Sequence, residues 1–348
     1  MSETAVEIRP PTDRREHRKA LARLIDRAGW SDPQADQRVA VLEAYAAGRE
    51  LSLDHCLVIV RAGQIEGVCL ALDSPGNMSS IVLAPGMTQP PWRDSAVTML
   101  KQLSAAAMQR GIRLLQGMIA PEISDETWIY HAAGFRRLTR LLYLKADRPT
   151  PPNRVTEPSR PDTTASCSVP ATSLSPIAAA TSSAISSAAA RPIEWVSYSP
   201  ATHAQFAQII LQTYENSLDC GLLNGLRDVE DVIASHKATG TFEPANWRLA
   251  FVDGQPIGVI LMAHIDEQNT YEVVYMGLLL AYRGQGYGSA LLAHGITLAR
   301  AHGVSGVTVT VDEKNVPAQK LYLSFGFRET MSREVWFKHC ISSSDIKD

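Results

Sequence analysis

The chain has 348 residues, of which 45% are hydrophobic, and a formal net charge of -3. This length exceeds that of a usual single domain, so two domains are expected. Lys and Arg nearly balance Asp and Glu without forming a basic stripe, which argues against a nucleic-acid partner. No apolar run is long enough to span a membrane, which argues against a membrane partner. Five scattered cysteines without metal or disulfide spacing favour reduced thiols and a cytoplasmic location.

Three segments of the first half recur in the second half. Residues 60–68 (VRAGQIEGV) recur as 252–259 (VDGQPIGV), and each predicts two short strands around a Gly-containing turn. Gly111 and Gly303 each follow a helical pattern and precede an apolar strand, and 133–135 (AGF) match 325–327 (FGF). The offset stays at about 191 to 192 residues, so we interpret the chain as a duplicated domain.

A change of composition separates the two copies. A Pro-rich stretch and then an Ala/Ser/Thr run lack the apolar residues that could offset the entropy cost of ordering. This pattern predicts a flexible linker. The expected division is therefore a first domain at 1–146, a linker at 147–191, a second domain at 192–340 and a tail at 341–348.

The second half predicts a mixed α/β sheet with helices on both faces. Its predicted helices begin at Pro200, with an apolar stripe that includes Phe206, at Val229, at 286 (closed by Gly303 after 302) and at 316. Its predicted strands are 193–198, 247–252, 257–263, 271–280, 307–311 and one after the last helix. The fold class is thus two mixed-sheet domains in tandem, joined by the long linker.

A Gly-rich turn at 283–288 (RGQGYG) joins the strand 271–280 to the next helix. Such a turn presents backbone N–H groups and the positive end of a helix to an anion. Glycines let the ligand approach where a Cβ would block it. Taken alone, the motif favours an ordinary tight strand-to-helix turn.

The residues 315–327 (NVPAQKLYLSFGF) change this interpretation. Together with 283–288 they resemble the two signatures of the GNAT N-acetyltransferase superfamily, over about 150 residues of the chain. The family usually has a Pro three residues before the Arg, where this chain has Leu280. A tandem of two such domains, one of them degenerate, is similar to the arrangement in the mycothiol synthase family.

The resemblance implies a fold of the GNAT type and acetyl-CoA as the acyl donor, without a metal. The backbone of the loop would hold the CoA pyrophosphate, the strand exit would pair with the pantetheine arm, and Asn315 would contact that arm. The residues implied in cofactor binding are Leu278, Leu279, Leu280, Arg283, Gly284, Gln285, Gly286, Tyr287, Gly288 and Asn315.

The resemblance also implies two groups that move protons. An acceptor amine with a pKa near 10.4, as for lysine, must lose a proton before it attacks the thioester. Glu272 stands where many family members carry a carboxylate that takes this proton, often through water. A backbone N–H near Leu278 would stabilise the oxyanion, and Tyr322 would protonate the departing thiolate. The alternatives are a surface carboxylate at a strand start for Glu272 and a core aromatic for Tyr322.

Four further residues fall where the family builds its acceptor pocket. They are Tyr214, Glu215, Asp219 and Asp231. For each of them we favour a solvated face over contact with substrate.

The first copy lacks the loop that would hold a cofactor. At the same offset Arg283, Gly286 and Gly288 correspond to Pro91, Asp94 and Ala96, and Asn315 corresponds to Ile123. A carboxylate at the helix start would repel a pyrophosphate. Tyr130, opposite Tyr322, is retained. The first copy is therefore expected to be degenerate.

The sequence predicts an enzyme that transfers an acetyl group from acetyl-CoA to an amine by direct attack. The alternative is a non-catalytic acyl-CoA-binding regulatory module, which would keep the loop and need neither Glu272 nor Tyr322. The acceptor, a small molecule or a protein amine, stays open at this point.

Overall fold

The structure, a computed structural model, describes residues 6–26, 29–49, 51–123, 125–149, 151 and 192–340. Most of the predicted linker and all of the predicted tail lie outside these residues. Within the described ranges, no helix combines the length and the apolar character needed to cross a bilayer.

The described elements follow the duplicated order that the sequence predicts. In the first half they are β1 (Val6–Arg9), α1 (Arg14–Ile25), α2 (Ala35–Gly48), β2 (Cys56–Arg61), β3 (Gln64–Ser74), β4 (Met78–Leu83), α3 (Arg93–Gln109), β5 (Leu114–Ile119), α4 (Glu126–Ala132) and β6 (Arg136–Ala146). In the second half they are β7 (Glu194–Ser197), α5 (His203–Thr213), α6 (Val229–Lys237), β8 (Trp247–Val252), β9 (Gln255–Ile265), β10 (Thr270–Leu278), α7 (Tyr287–Ala301), β11 (Gly306–Asp312), α8 (Val316–Ser324) and β12 (Arg328–His339).

The two predicted hairpins are β2–β3 and β8–β9. Each is closed by two residues with positive φ, Ala62 and Gly63 in the first and Asp253 and Gly254 in the second. Two consecutive left-handed residues are typical of the tight turn whose twist suits a hairpin. The recurrence that indicated a duplication therefore corresponds to the same local structure in both halves.

The mixed α/β fold is confirmed, and helices cover both faces of the second half. Side chains alternate along β9: Ile260 and Met262 pack in one core cluster with residues of α7 and α8, whereas Val259 and Leu261 pack with residues of α5 and α6. Several predicted bounds differ by one to three residues. The strand predicted to reach Leu280 ends at Leu278, and the helix expected from Pro200 begins at His203.

The twelve described strands form one sheet in the order β1-β2-β3-β4-β5-β12-β6-β11-β10-β9-β8-β7. The halves exchange their last strands within it. The first half's β6 is antiparallel to β11, with Asp312 opposite Leu141, and the second half's β12 is antiparallel to β5, with His339 opposite Leu114. The strands β6 and β12 also pair with each other. The sequence pattern predicted both copies but not this exchange.

The exchange reaches into the hydrophobic cores. Trp336 and Cys340, from the second half, belong to the core of the first half. Leu144 and Ala146, from β6, belong to the core beneath α7 and α8. The turn before β4 also docks on α6, where Asn77 Nδ2 donates to Asp231 Oδ1 at 2.8 Å. Separating the halves would therefore expose apolar surface and two sheet edges.

We predict that the halves stay together after the chain is cut within the linker. A protease site placed between residues 152 and 191 should yield two pieces that co-elute in native gel filtration and separate only in denaturant. The exchanged strands, not the linker, supply the association. Pieces that separate without denaturant would contradict the shared sheet.

Candidate active site

The strands β10 and β11 pair only over their first four residues. Parallel pairing runs from Thr270 opposite Gly306 to Val273 opposite Val309, and β10 has an irregularity between Val273 and Tyr275. Beyond that point the strands diverge. A cavity of about 210 Å³ occupies the gap, and it is lined by both strands, by α8 and by the loop that follows α5. We refer to this cavity as the cleft.

The predicted anion-binding loop lies beside the cleft at the start of α7. Gly284 and Gly286 adopt left-handed backbone conformations, with φ of +74° and +86°. Gly286 is the N-cap of α7, and no side chain caps the helix there. The first N–H groups of a helix lack intrahelical partners, and the helix end carries a partial positive charge. The loop thus offers donors and charge of the kind an anion requires.

The Arg283 side chain holds the loop in place. Its guanidinium donates to the backbone oxygens of Leu278 at 3.0 Å, Thr213 at 2.8 Å and Asn216 at 3.1 Å. These bonds join the end of β10 to the end of α5. The guanidinium of Arg283 is therefore held at the cleft by hydrogen bonds to backbone oxygens. Gln285 similarly donates to the Ala281 oxygen at 2.7 Å.

The predicted strand exit, Leu278 to Leu280, offers fewer free backbone groups than expected. The Leu279 N–H donates to Ile257 O at 2.9 Å, and Arg283 occupies Leu278 O. Leu280 begins a short 3₁₀ turn with a side chain that is 43% exposed. Leu278 lines the cleft, whereas Leu280 lies outside its lining.

Asn315 and Tyr322, both predicted site residues, meet in the cleft. Asn315 is the N-cap of α8, and its Oδ1 accepts a hydrogen bond from Ala318 N–H at 3.3 Å. Tyr322 is 5% exposed, and burial followed by the charge of Asp219 raises the pKa of its phenol. Among the described residues, its hydroxyl has no hydrogen-bond partner. It is therefore a protonated donor at neutral pH.

Glu272 does not share this cavity. It lies between Tyr271 and Val273, which belong to the same core cluster as Tyr322, so strand alternation turns Glu272 to the opposite face of the sheet. There it lines a second cavity of about 310 Å³, which has Tyr143 of β6 on its wall. Burial raises the pKa of Glu272. Val309 and Thr310 line both cavities, so only the edge of β11 separates them.

Asp219 is a cleft residue whose interpretation as part of a solvated face was wrong. It is half-buried and lines the cleft beside Tyr322, because its Oδ1 accepts the Asp312 N–H at 3.0 Å. Asp312 Oδ2 in turn accepts the Cys220 N–H at 2.9 Å. The resemblance had placed Asp219 near the acceptor pocket, but no sequence pattern indicated its partner Asp312.

The other three residues predicted near the acceptor pocket lie outside the lining of the cleft. Glu215 is exposed, as expected. Tyr214 is half-buried, and burial raises its pKa to about 12. Asp231 bonds the first half through Asn77. Only Asp219 among the four lines the cleft.

Asp219, Cys220 and Asp312 place potential metal-ligating atoms within 4.8 Å of one another. Both oxygens of Asp312 nevertheless accept hydrogen bonds, from Thr139, Lys314 and Cys220. Burial also raises the pKa of the Cys220 thiol well above its usual range. We therefore describe the group as a hydrogen-bonded carboxylate pair with a neutral thiol.

The first half has a cavity of about 590 Å³ at the corresponding strands, but different residues line it. Its β4 and β5 also pair in parallel over four residues, from Met78 opposite Leu114. Here the Tyr130 hydroxyl donates to Ile81 O at 3.2 Å, and a Cβ on Gly117 would lie 2.1 Å from the Tyr130 ring. The Tyr130 hydroxyl is thus hydrogen-bonded to β4, whereas the Tyr322 hydroxyl has no such partner in the described part of the chain.

The first half also lacks the anion-binding loop. Its α3 starts at Arg93, whose guanidinium lies 3.5 Å from the centre of the Trp128 ring. Asp94 is exposed in the first turn of α3, and Ala96 is buried. Glu126 corresponds to Ala318 at the repeat offset, and it lines the cavity of the first half. Burial raises the pKa of its carboxyl to about 7. These features agree with the expected degeneration.

Comparison with known proteins identifies the second half. Residues 218–327 match the model of the acetyltransferase (GNAT) family. N-acetylaspartate synthetase from Rattus norvegicus is 32% identical over 111 residues, which cover 32% of this chain and 35% of that protein. Mycothiol acetyltransferase from Corynebacterium glutamicum (strain R) is 39% identical over 67 residues, which cover 19% of this chain and 23% of that protein. The chain thus matches about a third or less of these curated relatives.

The fold of the whole chain is similar to that of a solved structure. The GCN5-related N-acetyltransferase from Sphaerobacter thermophilus superposes with a TM-score of 0.56 over 97% of this chain and 96% of that one, at 15% identity. This likeness concerns the fold alone. The resemblance read from 283–288 and 315–327 is confirmed, and the chain carries a GNAT acetyltransferase domain in its second half.

Proposed function

We propose that the chain is an N-acetyltransferase that moves an acetyl group from acetyl-CoA to an amine in the cleft. The observation that carries the proposal is the uncapped start of α7, with its left-handed glycines, beside the gap between β10 and β11. An anionic pyrophosphate suits that helix end, and an extended arm suits the gap between two strands. The match of residues 218–327 to the GNAT family supports the same assignment.

In this proposal each predicted cofactor residue has a defined part. The N–H groups of Gly284, Gln285, Gly286, Tyr287 and Gly288 face the pyrophosphate. The Arg283 N–H already donates to Leu280 O at 3.3 Å, so Arg283 contributes by holding the loop through its side chain. The pantetheine arm runs along Leu278, with Leu279 and Leu280 shaping the entrance rather than donating. Asn315 keeps its Nδ2 for the arm, since its Oδ1 caps α8.

The chemistry needs one group that takes a proton and one that gives it. Glu272 takes the proton of the acceptor ammonium through water, because it reaches the reaction only across the edge of β11. An N–H near Leu278 stabilises the oxyanion. Tyr322 protonates the thiolate as it leaves. No covalent enzyme intermediate is required.

We propose a small amine as the acceptor class. The cleft is a confined cavity of about 210 Å³, and its far wall is the loop after α5. The two relatives named above are called after small acetylated molecules, which supports testing such acceptors first. The cytoplasmic location stays a prediction.

The function is tested by measuring CoA release from acetyl-CoA with a panel of amines. The panel should hold amino acids, aminoacyl thiols, amino sugars and a lysine peptide. A single class with saturable turnover is expected. Tight binding of acetyl-CoA without turnover on any amine would favour the regulatory module instead.

The loop assignment predicts that Gly286→Val greatly weakens acetyl-CoA binding. A Val at φ of +86° strains the backbone and places a side chain at the anion site. Calorimetry should give one acetyl-CoA per parent chain and none for the variant.

The matched control is Gly254→Val, at the tip of the β8–β9 hairpin. That glycine has a similar φ of +73° and equally open surroundings, but it lies away from the cleft. Equal losses of affinity in the two variants would attribute the effect to strain alone. A stoichiometry of two would show that the first half also binds the cofactor.

Tyr322→Phe should lower kcat by about 10²-fold with little change in acetyl-CoA affinity, since the hydroxyl acts only as the thiolate leaves. Tyr130→Phe is the control, because the Tyr130 hydroxyl serves the first half. An unchanged kcat in Tyr322→Phe would make this residue a core aromatic and leave the proton to water.

Glu272→Gln should lower the rate most near neutral pH and less as the pH rises. Because the pKa of Glu272 is raised, this carboxyl becomes an ionised base at a higher pH than an exposed carboxyl does. At alkaline pH the amine loses its proton unaided, so the variant recovers. A loss that is uniform across pH would assign Glu272 to structure or to acceptor binding.

A further inference from the structure

Two hydrogen bonds to backbone N–H groups connect the loop at Asp219 with the end of β11 at Asp312. Asp219 Oδ1 accepts the N–H of Asp312 at the end of β11, and Asp312 Oδ2 accepts the N–H of Cys220. Cys220 has a left-handed φ of 47°, a conformation that strains a residue with a side chain. The reciprocal pair therefore fixes the loop after α5 against the strand, with the Asp219 carboxylate in the cleft.

Asp312 is fixed as a buried carboxylate. It is 2% exposed, and its Oδ1 accepts from the Thr139 hydroxyl at 2.6 Å and from the Lys314 N–H at 2.8 Å. With the Cys220 N–H, three donors hold the two oxygens of this side chain. Thr139 lies on β6, so the first half supplies the hydroxyl that positions it.

The surroundings of Asp219 favour its protonated form more than water does. Burial raises its pKa, the hydrogen bond from Asp312 N–H opposes this effect, and the charge of Asp312 adds to it. The other titratable groups that feel the charge of Asp219 are Tyr322 on α8, Tyr214 at the end of α5, Tyr275 on β10 and the adjacent Cys220. Arg283 acts on Tyr275, and Arg227 acts on Tyr214.

We propose that Asp219 is a further catalytic residue, which takes the second proton of the acceptor nitrogen and returns it to Tyr322. This inference rests on the proposed acetyl transfer. It follows from the placement of Asp219 and Tyr322 on one cavity, with Glu272 on the opposite face of the sheet.

The protons balance in four steps. The acceptor ammonium loses its first proton to Glu272 through water. The nitrogen lone pair then forms the C–N bond to the thioester carbon, while the π pair of the carbonyl moves to oxygen. The nitrogen, now positive, gives its second proton to Asp219. The oxygen pair re-forms the C=O bond as the C–S bond breaks, the C–S electron pair stays on sulfur, and sulfur takes the Tyr322 proton. Asp219 then returns its proton to the phenolate, and Glu272 releases one proton to solvent.

The charge of Asp219 couples these two groups. Burial raises the pKa of Tyr322, and the charge of an ionised Asp219 raises it further. When Asp219 accepts the nitrogen proton, that repulsion disappears, and Tyr322 becomes a stronger acid when sulfur needs a proton. The order of proton transfers is thus imposed by electrostatics within the cleft.

Asp219→Asn tests the proposal because its amide oxygen can still accept the Asp312 N–H. We expect kcat to fall by about 10²-fold, with the affinity for acetyl-CoA retained. Glu230→Gln, which removes an exposed carboxylate on the neighbouring helix, should leave kcat unchanged.

A second readout does not depend on turnover. Fluorotyrosine incorporated at position 322 has a more acidic phenol, and its titration can be followed by fluorine NMR in the acceptor-free protein. Asp219→Asn should lower its pKa, whereas Glu230→Gln should not. An unchanged titration together with unchanged kcat overturns the proposal.

Thr139 acts as a positioning residue, so its effect should appear in the pH profile. Thr139→Val removes the hydroxyl that donates to Asp312 and should shift the acidic side of the pH profile of kcat. Thr139→Ser, which keeps a hydroxyl, should retain the parent profile. Unaffected profiles in both variants would overturn the link to the first half. If the parent chain binds acetyl-CoA but acetylates no amine, the proposed function itself fails; an active parent with an equally active Asp219→Asn variant removes only Asp219.

Discussion

The exchange of β6 and β12 is the constraint on which the rest of the molecule depends. Without β6, the strand β11 would be a sheet edge with unpaired backbone groups, and the core beneath α7 would lose Leu144 and Ala146. The cleft requires β11 to be held firmly on one side, because on the other side it must leave β10 after Val309. A strand from the first half supplies that support. The sheet of the second half is therefore completed by a strand of the first half.

The two clefts show how one copy can lose its site and keep its fold. Both pairs of central strands separate after four residues, so the divergence is a property of the fold. The lining differs: the Tyr130 hydroxyl donates to Ile81 O, whereas the Tyr322 hydroxyl has no hydrogen-bond partner within the described ranges. Glu126 replaces the small Ala318 and occupies the position with a buried carboxyl. The first half thus keeps a cavity, but its lining differs from that of the second half.

Local patterns in the sequence predicted most of the elements and the loop, because these depend on near neighbours. The glycines at 284 and 286 and the hairpin turns are of this kind. The strand exchange could not be predicted, since β6 suits either neighbour equally well by composition. The separation of Glu272 from Tyr322 follows from strand alternation combined with the β10 irregularity. The Asp219–Asp312 pair joins residues 93 positions apart through backbone groups, which leave no trace in residue types.

The position of Thr139 gives a physical reason for retaining a half without a cofactor loop. A buried carboxylate such as Asp312 is costly unless donors surround it. Two of its donors are backbone groups of the second half, and the third is a hydroxyl on β6. The first half can lose its anion site without affecting this bond, because β6 lies at the far end of that half from α3 in the chain. It cannot lose β6, because this strand pairs with both β11 and β12 and carries the Thr139 hydroxyl that donates to Asp312.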